Sequence, residues 1–200
     1  IRGFDNLKLP SILQLKMGLP VYLERDVNTS LLYDIRKKGC GSSGIMIGIY
    51  IGTGLGNAMC IDGKVYRGGT GSSCELGHVP VPGLTEPCGC GKKGCVELLA
   101  SGKALEKLSE KKFSTPVRDI FKLHGEDEDV RKVVSLCALA VATEITILDP
   151  KIIFLGGGVV EMEGFPLDFF TQTVKENLRT PYPRNALNLV PASGDPEAGM

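Results

Sequence analysis

The sequence lacks the features that would point to a membrane or a nucleic acid. It has no net charge, because 23 Lys and Arg balance 23 Asp and Glu. Without a basic excess, there is no sequence-wide field to attract a phosphate backbone or an anionic bilayer. No apolar run approaches the roughly 20 residues that a membrane helix needs, and no signal-peptide pattern opens the sequence. We therefore expect a cytoplasmic protein with no membrane partner, and no nucleic-acid partner unless a DNA-binding segment precedes Ile1.

A disulfide framework is also disfavoured. The seven cysteines are odd in number, and no secretion signal accompanies them. Four are scattered, as is typical of small buried apolar side chains in a reducing compartment: Cys40, Cys60, Cys74 and Cys137. The other three are clustered and need a separate explanation.

The clustered cysteines, together with His78, have the residue types and spacing of a zinc site. They lie in the segment Cys88-Gly89-Cys90-Gly91-Lys92-Lys93-Gly94-Cys95, and nine residues separate His78 from Cys88. Three thiolates and one imidazole suit tetrahedral zinc, and the interleaved glycines let a short loop turn its sulfur atoms inward. Four protein ligands leave no position for water, so the pattern predicts a structural ion. The alternative is three unrelated thiols and one solvated His.

Glycine, in contrast, is abundant, with 26 residues in clusters beside apolar segments. Gly52-Thr53-Gly54 follows a predicted buried strand over 44–51, and Gly156-Gly157-Gly158 follows another over 151–155. Backbone N–H groups without Cβ obstruction, and the Thr53 hydroxyl, suit phosphate oxygens. Tight packing is the alternative for either turn. A dinucleotide fingerprint is disfavoured, because no helix opens directly after Gly56.

Apolar periodicity predicts an α/β fold. Short strands are expected over 21–23, 57–61 and 64–66, with a hairpin turn at Asp62-Gly63. Helices are expected over 9–17, around Leu31 to Ile35, and over 96–108, 117–123, 130–148 and 167–178. Asp26 is placed at the end of the 21–23 strand, where open α/β sheets bind ligands, or it caps the helix that follows.

Five segments in this order resemble the ROK family of sugar kinases and repressors. They are Glu24-Arg25-Asp26-Val27-Asn28, Gly52-Thr53-Gly54, Glu75-Leu76-Gly77-His78, the cysteine loop continued to Glu97, and Gly156-Gly157-Gly158. The resemblance implies an α/β, ribonuclease H-like ATPase fold of the actin and hexokinase type with a zinc-binding loop. In such a fold, ATP and a sugar meet in a cleft between two domains.

The resemblance also implies a role for each matching residue. Asp26 would be the general base for a sugar hydroxyl, which is chemistry that a carboxylate at hydrogen-bond distance can perform. Glu75, His78 and Glu97 would contact sugar hydroxyls, with His78 also a zinc ligand. ATP with magnesium would place its phosphates on Gly52-Thr53-Gly54 and its adenosine against Gly156-Gly157-Gly158.

The sequence departs from the family pattern in two places. The family's Asp-x-Gly-Gly-Thr hairpin is absent, so we expect a fragment of a longer kinase, and the resemblance implies that this kinase is a homodimer. Residues 1–25 would end a small N-terminal domain, and 26–200 would form a large α/β domain that is incomplete at its C-terminus.

The second departure is Arg25, which stands where most of the family's kinases carry Asn, and it resembles the version in D-allose kinases. A sugar contact by Arg25 and phosphorylation of D-allose at its 6-hydroxyl are therefore expected. Kinases of glucose, fructose or N-acetylmannosamine are the alternatives, and so is a sugar-responsive repressor.

Overall fold

A computed structural model describes residues 7–195, and its centre is a five-stranded mixed sheet. The strand order is β3-β2-β1-β4-β5. Antiparallel pairing joins β2 to β1 and to β3, whereas β4 runs parallel to both β1 and β5. The strands are β1 (Ile45–Ile51), β2 (Leu55–Ile61), β3 (Lys64–Val65), β4 (Ile152–Gly156) and β5 (Leu189–Pro191).

Helices cover both faces of this sheet. The helices are α1 (Leu9–Met17), α2 (Asp26–Lys37), α3 (Gly102–Leu108), α4 (Ile120–His124), α5 (Glu128–Leu148) and α6 (Leu167–Glu176), of which α1 buries no residue. None of the helices within residues 7–195 has the length and apolar character needed to cross a bilayer.

The two faces of the sheet bury alternate residues of the same strands, as the two-residue period of a strand requires. Ile47, Ile49 and Ile51 of β1 lie in the large core with α5 and α6. Met46 of β1 lies in a smaller core, where Leu31 of α2 packs. The helix α2 is thus on the opposite face from α5, and its first turn reaches the sheet edge where β1 ends.

The parallel pairing of β1 and β4 places their carboxyl ends side by side. Tyr50 is opposite Gly156 in the register. The glycine turns that follow these two strands consequently lie at one edge of the sheet. This edge is the ligand-binding edge of open α/β sheets.

Most of the predicted elements are confirmed, with three corrections. No strand forms over 21–23, where Tyr22 and Leu23 are exposed, because no strand within residues 7–195 pairs with this short apolar run; Asp26 therefore begins a helix rather than ending a strand. The helix predicted over 96–108 is a 3-10 turn followed by α3, which begins only after Ser101 caps it by accepting from Ala104 N–H at 3.3 Å. The short edge strand β5 was not predicted at all.

The expectations about what flanks Ile1 and Met200 lie outside the described residues.

Candidate functional site

His78 and the three clustered cysteines converge on one point. Their ligand atoms all lie within 4.8 Å of one another. Cys88 Sγ is 3.7 Å from His78 Nδ1, and Cys90 Sγ is 3.5 Å from Cys95 Sγ. Four zinc-ligand bonds of about 2.0 to 2.3 Å in a tetrahedron put neighbouring ligand atoms about 3.5 to 3.8 Å apart, so the donor types suit zinc and these two distances match its spacing.

Backbone pairing brings the loop to the turn that carries His78. Val96 N–H donates to Val79 C=O at 2.9 Å, and Val81 N–H donates to Gly94 C=O at 2.7 Å. Gly94 has a φ of +73°, and a Cβ there would collide with the carbonyl oxygen of Leu84. Only glycine fits this position, which explains one of the glycines interleaved with the cysteines.

The thiols differ in their surroundings. Burial raises the pKa of Cys88 to about 12 and also raises the pKa of Cys95. A backbone hydrogen bond from Lys92 lowers the pKa of the exposed Cys90. Two buried thiols are therefore held as neutral groups by the protein alone, and a bound dication is what would favour their thiolate forms.

Two carboxylates flank the imidazole of His78. Glu75 Oε2 is 3.7 Å from His78 Nε2, and Glu97 Oε1 is 3.5 Å from His78 Nδ1. Cys88 Sγ is also 3.1 Å from Glu97 Oε1. Nδ1 thus lies on the cysteine side of the ring, while Nε2 faces the exposed Glu75. The three residues predicted to contact a sugar lie together.

Arg25 joins this group from the start of α2. Its guanidinium donates to the carbonyl oxygens of Ser73 at 2.6 Å and Cys74 at 3.2 Å. The same group pairs with Glu75, with NH2 3.0 Å from Oε1. Both terminal nitrogens of Arg25 therefore bind protein acceptors, and its direct effect is to hold the segment that carries Glu75.

Asp26 is exposed and lies between two fixed neighbours. Arg25 contacts Glu75, and Val27 packs so closely on Gly56 that a Cβ there would be 2.9 Å from Val27 Cγ1. Asp26 Oδ1 accepts from Val27 N–H at 2.8 Å. Within the described part of the chain, Oδ2 makes no hydrogen bond. The N-cap residue of α2 is Arg25, and no side chain caps the helix. The Asp26 carboxylate is therefore not fully used by helix capping.

Polar side chains support the segment that carries Asp26; of these, Glu24 and Asn28 belong to the segment that matches the family, and Arg67 carries no functional signal in the sequence. Glu24 Oε1 accepts from Arg25 N–H at 3.0 Å and from Asn28 Nδ2 at 2.7 Å, and Arg67 Nε donates to Glu24 Oε2 at 2.9 Å. These bonds fix the first turn of α2. The Glu24–Asn28 spacing of four is an ordinary helical contact, whereas the bond from Arg67, 43 positions away, is visible only in the structure.

The two glycine turns line one cleft of about 250 Å³. Its lining includes Gly52, Thr53 and Lys103, together with Gly158 and Val159. A second pocket of about 320 Å³ is lined by Gly54 and Glu97, and it shares Thr53 and Lys103 with the first. The glycine cleft and the carboxylate group are therefore neighbours.

Close backbone contacts build the cleft. Gly102 N–H donates to Gly52 C=O at 2.7 Å, and a Cβ on Gly102 would be 2.5 Å from that oxygen. Gly157 has a φ of +96°, and a Cβ there would lie 2.6 Å from the carbonyl oxygen of Ile51. Side chains are excluded at both positions, because the neighbouring atoms belong to the backbone and cannot move aside.

The fold is that of the actin and hexokinase class of ATPases. It superimposes on a ROK family glucokinase from Streptomyces griseus, solved in complex with glucose and AMPPNP, with a TM-score of 0.79 and 26% identity; the match covers 96% of this chain and 69% of that one. A ROK family transcriptional regulator shares the fold at a TM-score of 0.79 and 23% identity, over 98% of this chain and 53% of its own.

The family model named ROK family matches residues 1–200, and the chain belongs to that family. Among curated proteins, the N-acetyl-D-glucosamine kinase of Histophilus somni is 30% identical over 177 residues. That match covers 80% of this chain and 58% of the relative, so the chain spans somewhat more than half the length of such kinases.

Proposed function

We propose that the full-length protein transfers the γ-phosphoryl group of ATP to the 6-hydroxyl of a hexose, and that D-allose is its sugar. One observation carries the proposal. Thr53 and Lys103 line both the cleft between the glycine turns and the pocket that contains Glu97. A nucleotide in the cleft would thus direct its terminal phosphate toward a sugar beside Glu97.

Asp26 is the proposed general base. A primary alcohol is a weak nucleophile, and Oδ2 of Asp26 is open to accept its proton. As the 6-oxygen bonds to the γ-phosphorus, the bond from that phosphorus to the β,γ-bridging oxygen breaks, and ADP leaves with the bond's electron pair. Magnesium would supply charge neutralisation when bound, and the backbone N–H groups of Thr53 and Gly54 orient the phosphate oxygens, because the N–H of Gly52 donates to the Gly54 carbonyl within the turn.

The sugar is held by Glu75, His78 and Glu97. Carboxylates accept hydrogen bonds from hydroxyls, and the Nε2 side of His78 faces Glu75 rather than the cysteines. Zinc would be held by His78, Cys88, Cys90 and Cys95, and its contribution when bound is structural. If Nδ1 binds the zinc, the proton of the neutral imidazole is on Nε2, and the ring is held with Nε2 toward the sugar.

D-allose rests on Arg25 and on the resemblance to D-allose kinases. Arg25 pairs with Glu75. An Arg at the position where most of the family's kinases carry Asn would therefore change the charge beside Glu75 and the position of its carboxylate. The match to an N-acetylglucosamine kinase makes amino sugars the alternative substrates. A repressor that binds the sugar without turnover is a separate alternative, favoured by the shared fold of the ROK regulator.

The test compares the full-length wild type with Asp26→Asn on five sugars: D-allose, glucose, fructose, N-acetylmannosamine and N-acetylglucosamine. With D-allose, we expect kcat to fall by about 10² or more in Asp26→Asn, with a smaller change in sugar affinity, because the shape of the side chain survives and its proton acceptor does not.

Asp168→Asn is the matched control. Asp168 is also an exposed aspartate in the first turn of a helix, and it lines neither pocket. Its substitution should leave kcat unchanged. Unchanged turnover in Asp26→Asn would remove Asp26 from the mechanism, a clear preference for another sugar would remove D-allose, and sugar binding without any phosphorylation would favour the repressor.

A further inference from the structure

A buried polar pair lies behind the turn that carries Glu75 and His78. Asn57 of β2 is 2% exposed and Glu144 of α5 is 7% exposed. Asn57 Nδ2 donates to Glu144 Oε1 at 2.6 Å. Both residues lie within the apolar layer between the sheet and α5, where unpaired polar groups are costly. Apolar residues of similar size would pack there at lower cost, so the pair calls for an explanation beyond packing.

The other end of the Asn57 amide reaches the turn. Its Oδ1 accepts from the backbone N–H of Leu76 at 2.9 Å, in a buried bond. Leu76 opens the 3-10 turn Leu76–His78. The same strand contacts the turn a second time, because Gly77 lies so close to Leu55 that a Cβ would be 2.5 Å from the Leu55 carbonyl oxygen. Alternate residues of β2 therefore hold the turn at two successive positions.

Glu144 determines which end of the amide points to the turn. A carboxylate oxygen accepts, so it selects the Nδ2 side of Asn57 and leaves Oδ1 for Leu76. Removing the acceptor would leave Nδ2 buried without a partner, so the amide would no longer be anchored at the end away from the turn. Burial raises the pKa of Glu144 to about 7, and a carboxyl group in either protonation state still offers an acceptor oxygen.

We propose that Asn57 and Glu144 are positioning residues for the sugar site. The hydrogen-bond chain from Glu144 through Asn57 to the N–H of Leu76 sets the position and orientation of the turn relative to β2. It thereby sets the positions of Glu75 and His78. The role in sugar binding rests on the proposed function. The role in holding the turn does not.

The experiment compares Asn57→Leu, Glu144→Leu and Glu144→Gln in the full-length protein. The two Leu variants remove an acceptor at nearly constant volume, and we expect each to raise the KM for the sugar about tenfold with kcat and the KM for ATP within about twofold. Glu144→Gln retains an acceptor oxygen for Asn57 Nδ2, so it should restore a KM close to that of the wild type.

Ile145→Val is the matched control for general destabilisation. Ile145 is the next residue of α5 and is 1% exposed, but it makes no polar contact with the turn. Its substitution should lower thermal stability and leave the sugar KM unchanged. Amide hydrogen exchange at Leu76 reads the turn itself, and we expect faster exchange in both Leu variants but not in Glu144→Gln or Ile145→Val.

The outcomes separate the two proposals. Faster exchange at Leu76 in the two Leu variants, combined with no sugar phosphorylation by the wild type, would support the positioning of the turn and reject the kinase activity. Unchanged exchange in both Leu variants, or a sugar KM that follows stability alone across all four variants, would overturn the positioning role. Should Asn57→Leu not fold, the contrast between Glu144→Leu and Glu144→Gln decides the question.

Discussion

The two halves of the candidate site are built from different parts of the chain. On the half proposed to bind the sugar, charged and polar side chains contact one another, as Glu75, His78 and Glu97 show. On the half proposed to bind the nucleotide, closely packed backbone shapes the cleft beside side chains such as Thr53 and Lys103, and Gly102 and Gly157 are needed because a Cβ would overlap a neighbouring carbonyl. The first half depends on functional groups, and the second depends on the absence of a side chain at particular glycines.

This difference predicts different responses to mutation. A substitution on the sugar-facing half should alter metal content or sugar affinity in a residue-specific way. A substitution on the nucleotide-facing half should act through steric overlap, and its effect should follow the space around each glycine.

The largest effect is expected from the proposed zinc ligands. Cys88→Ser should reduce bound zinc from near one per chain to near zero, and it should loosen residues 75–97, because binding free energy at such sites is about 10 to 16 kcal/mol and is folding free energy. Metal analysis and hydrogen exchange measure both. Cys40→Ser, which changes a cysteine outside the cluster, should retain the metal. Wild-type protein without zinc would refute the metal site.

The next largest effect tests the glycine half. Gly157→Ala should destabilise the protein by about 2 to 4 kcal/mol, because its φ is +96° and its Cβ would overlap Ile51 backbone atoms. Gly158→Ala, with nothing within 4 Å of its Cβ position, should change stability by less than about 0.5 kcal/mol and should act only on nucleotide affinity. Chemical denaturation gives both free energies. Equal losses would contradict the steric account.

A smaller effect is expected in the pH dependence of stability. The pKa of Glu144 is raised from 4.5 to about 7 by burial, so between these pH values the folded state holds a proton that the unfolded state has released. The contribution of Glu144 is fully present below pH 4.5 and is lost as pH rises to 7, by up to about 3 kcal/mol. Subtracting the Glu144→Gln curve isolates this group. A difference curve that is flat from pH 4.5 to 7.5 would show that the burial of Glu144 does not perturb its titration.

The smallest effect sharpens the sugar-facing half. Arg25→Lys retains the charge but cannot bind Ser73, Cys74 and Glu75 together, so the sugar KM should rise about threefold to tenfold with little change in the KM for ATP. Arg36→Lys, at an exposed position in the last turn of the same helix, should have no effect. Equal kinetics for the two variants would exclude Arg25 from organising the sugar site.

Local patterns made part of this structure predictable. The zinc ligands lie within a short segment whose residue types and glycines state the chemistry, and the structure brings all four together. The turns after β1 and β4 were predictable as glycine clusters, and the parallel pairing that makes them neighbours follows from the fold class. In each case the signal lies in adjacent residues.

The remaining features depend on contacts between distant residues. Asn57 and Glu144 are 87 positions apart, and neither has a sequence neighbour that indicates the pairing. Arg25 reaches carbonyl groups 48 and 49 positions away, so its sequence context reveals the substitution but not its partners. The prediction of a strand over 21–23 was wrong for a related reason, because a strand needs a pairing partner that the local sequence does not specify.

The most direct test is a crystal structure of the full-length protein with D-allose, magnesium and a non-hydrolysable ATP analogue. The account predicts that the sugar's 6-hydroxyl lies about 3 Å from Asp26, with its ring hydroxyls on Glu75, His78 and Glu97. The phosphates would lie against Gly52-Thr53-Gly54. A sugar bound away from Glu75, or a nucleotide outside the cleft between the two glycine turns, would contradict it.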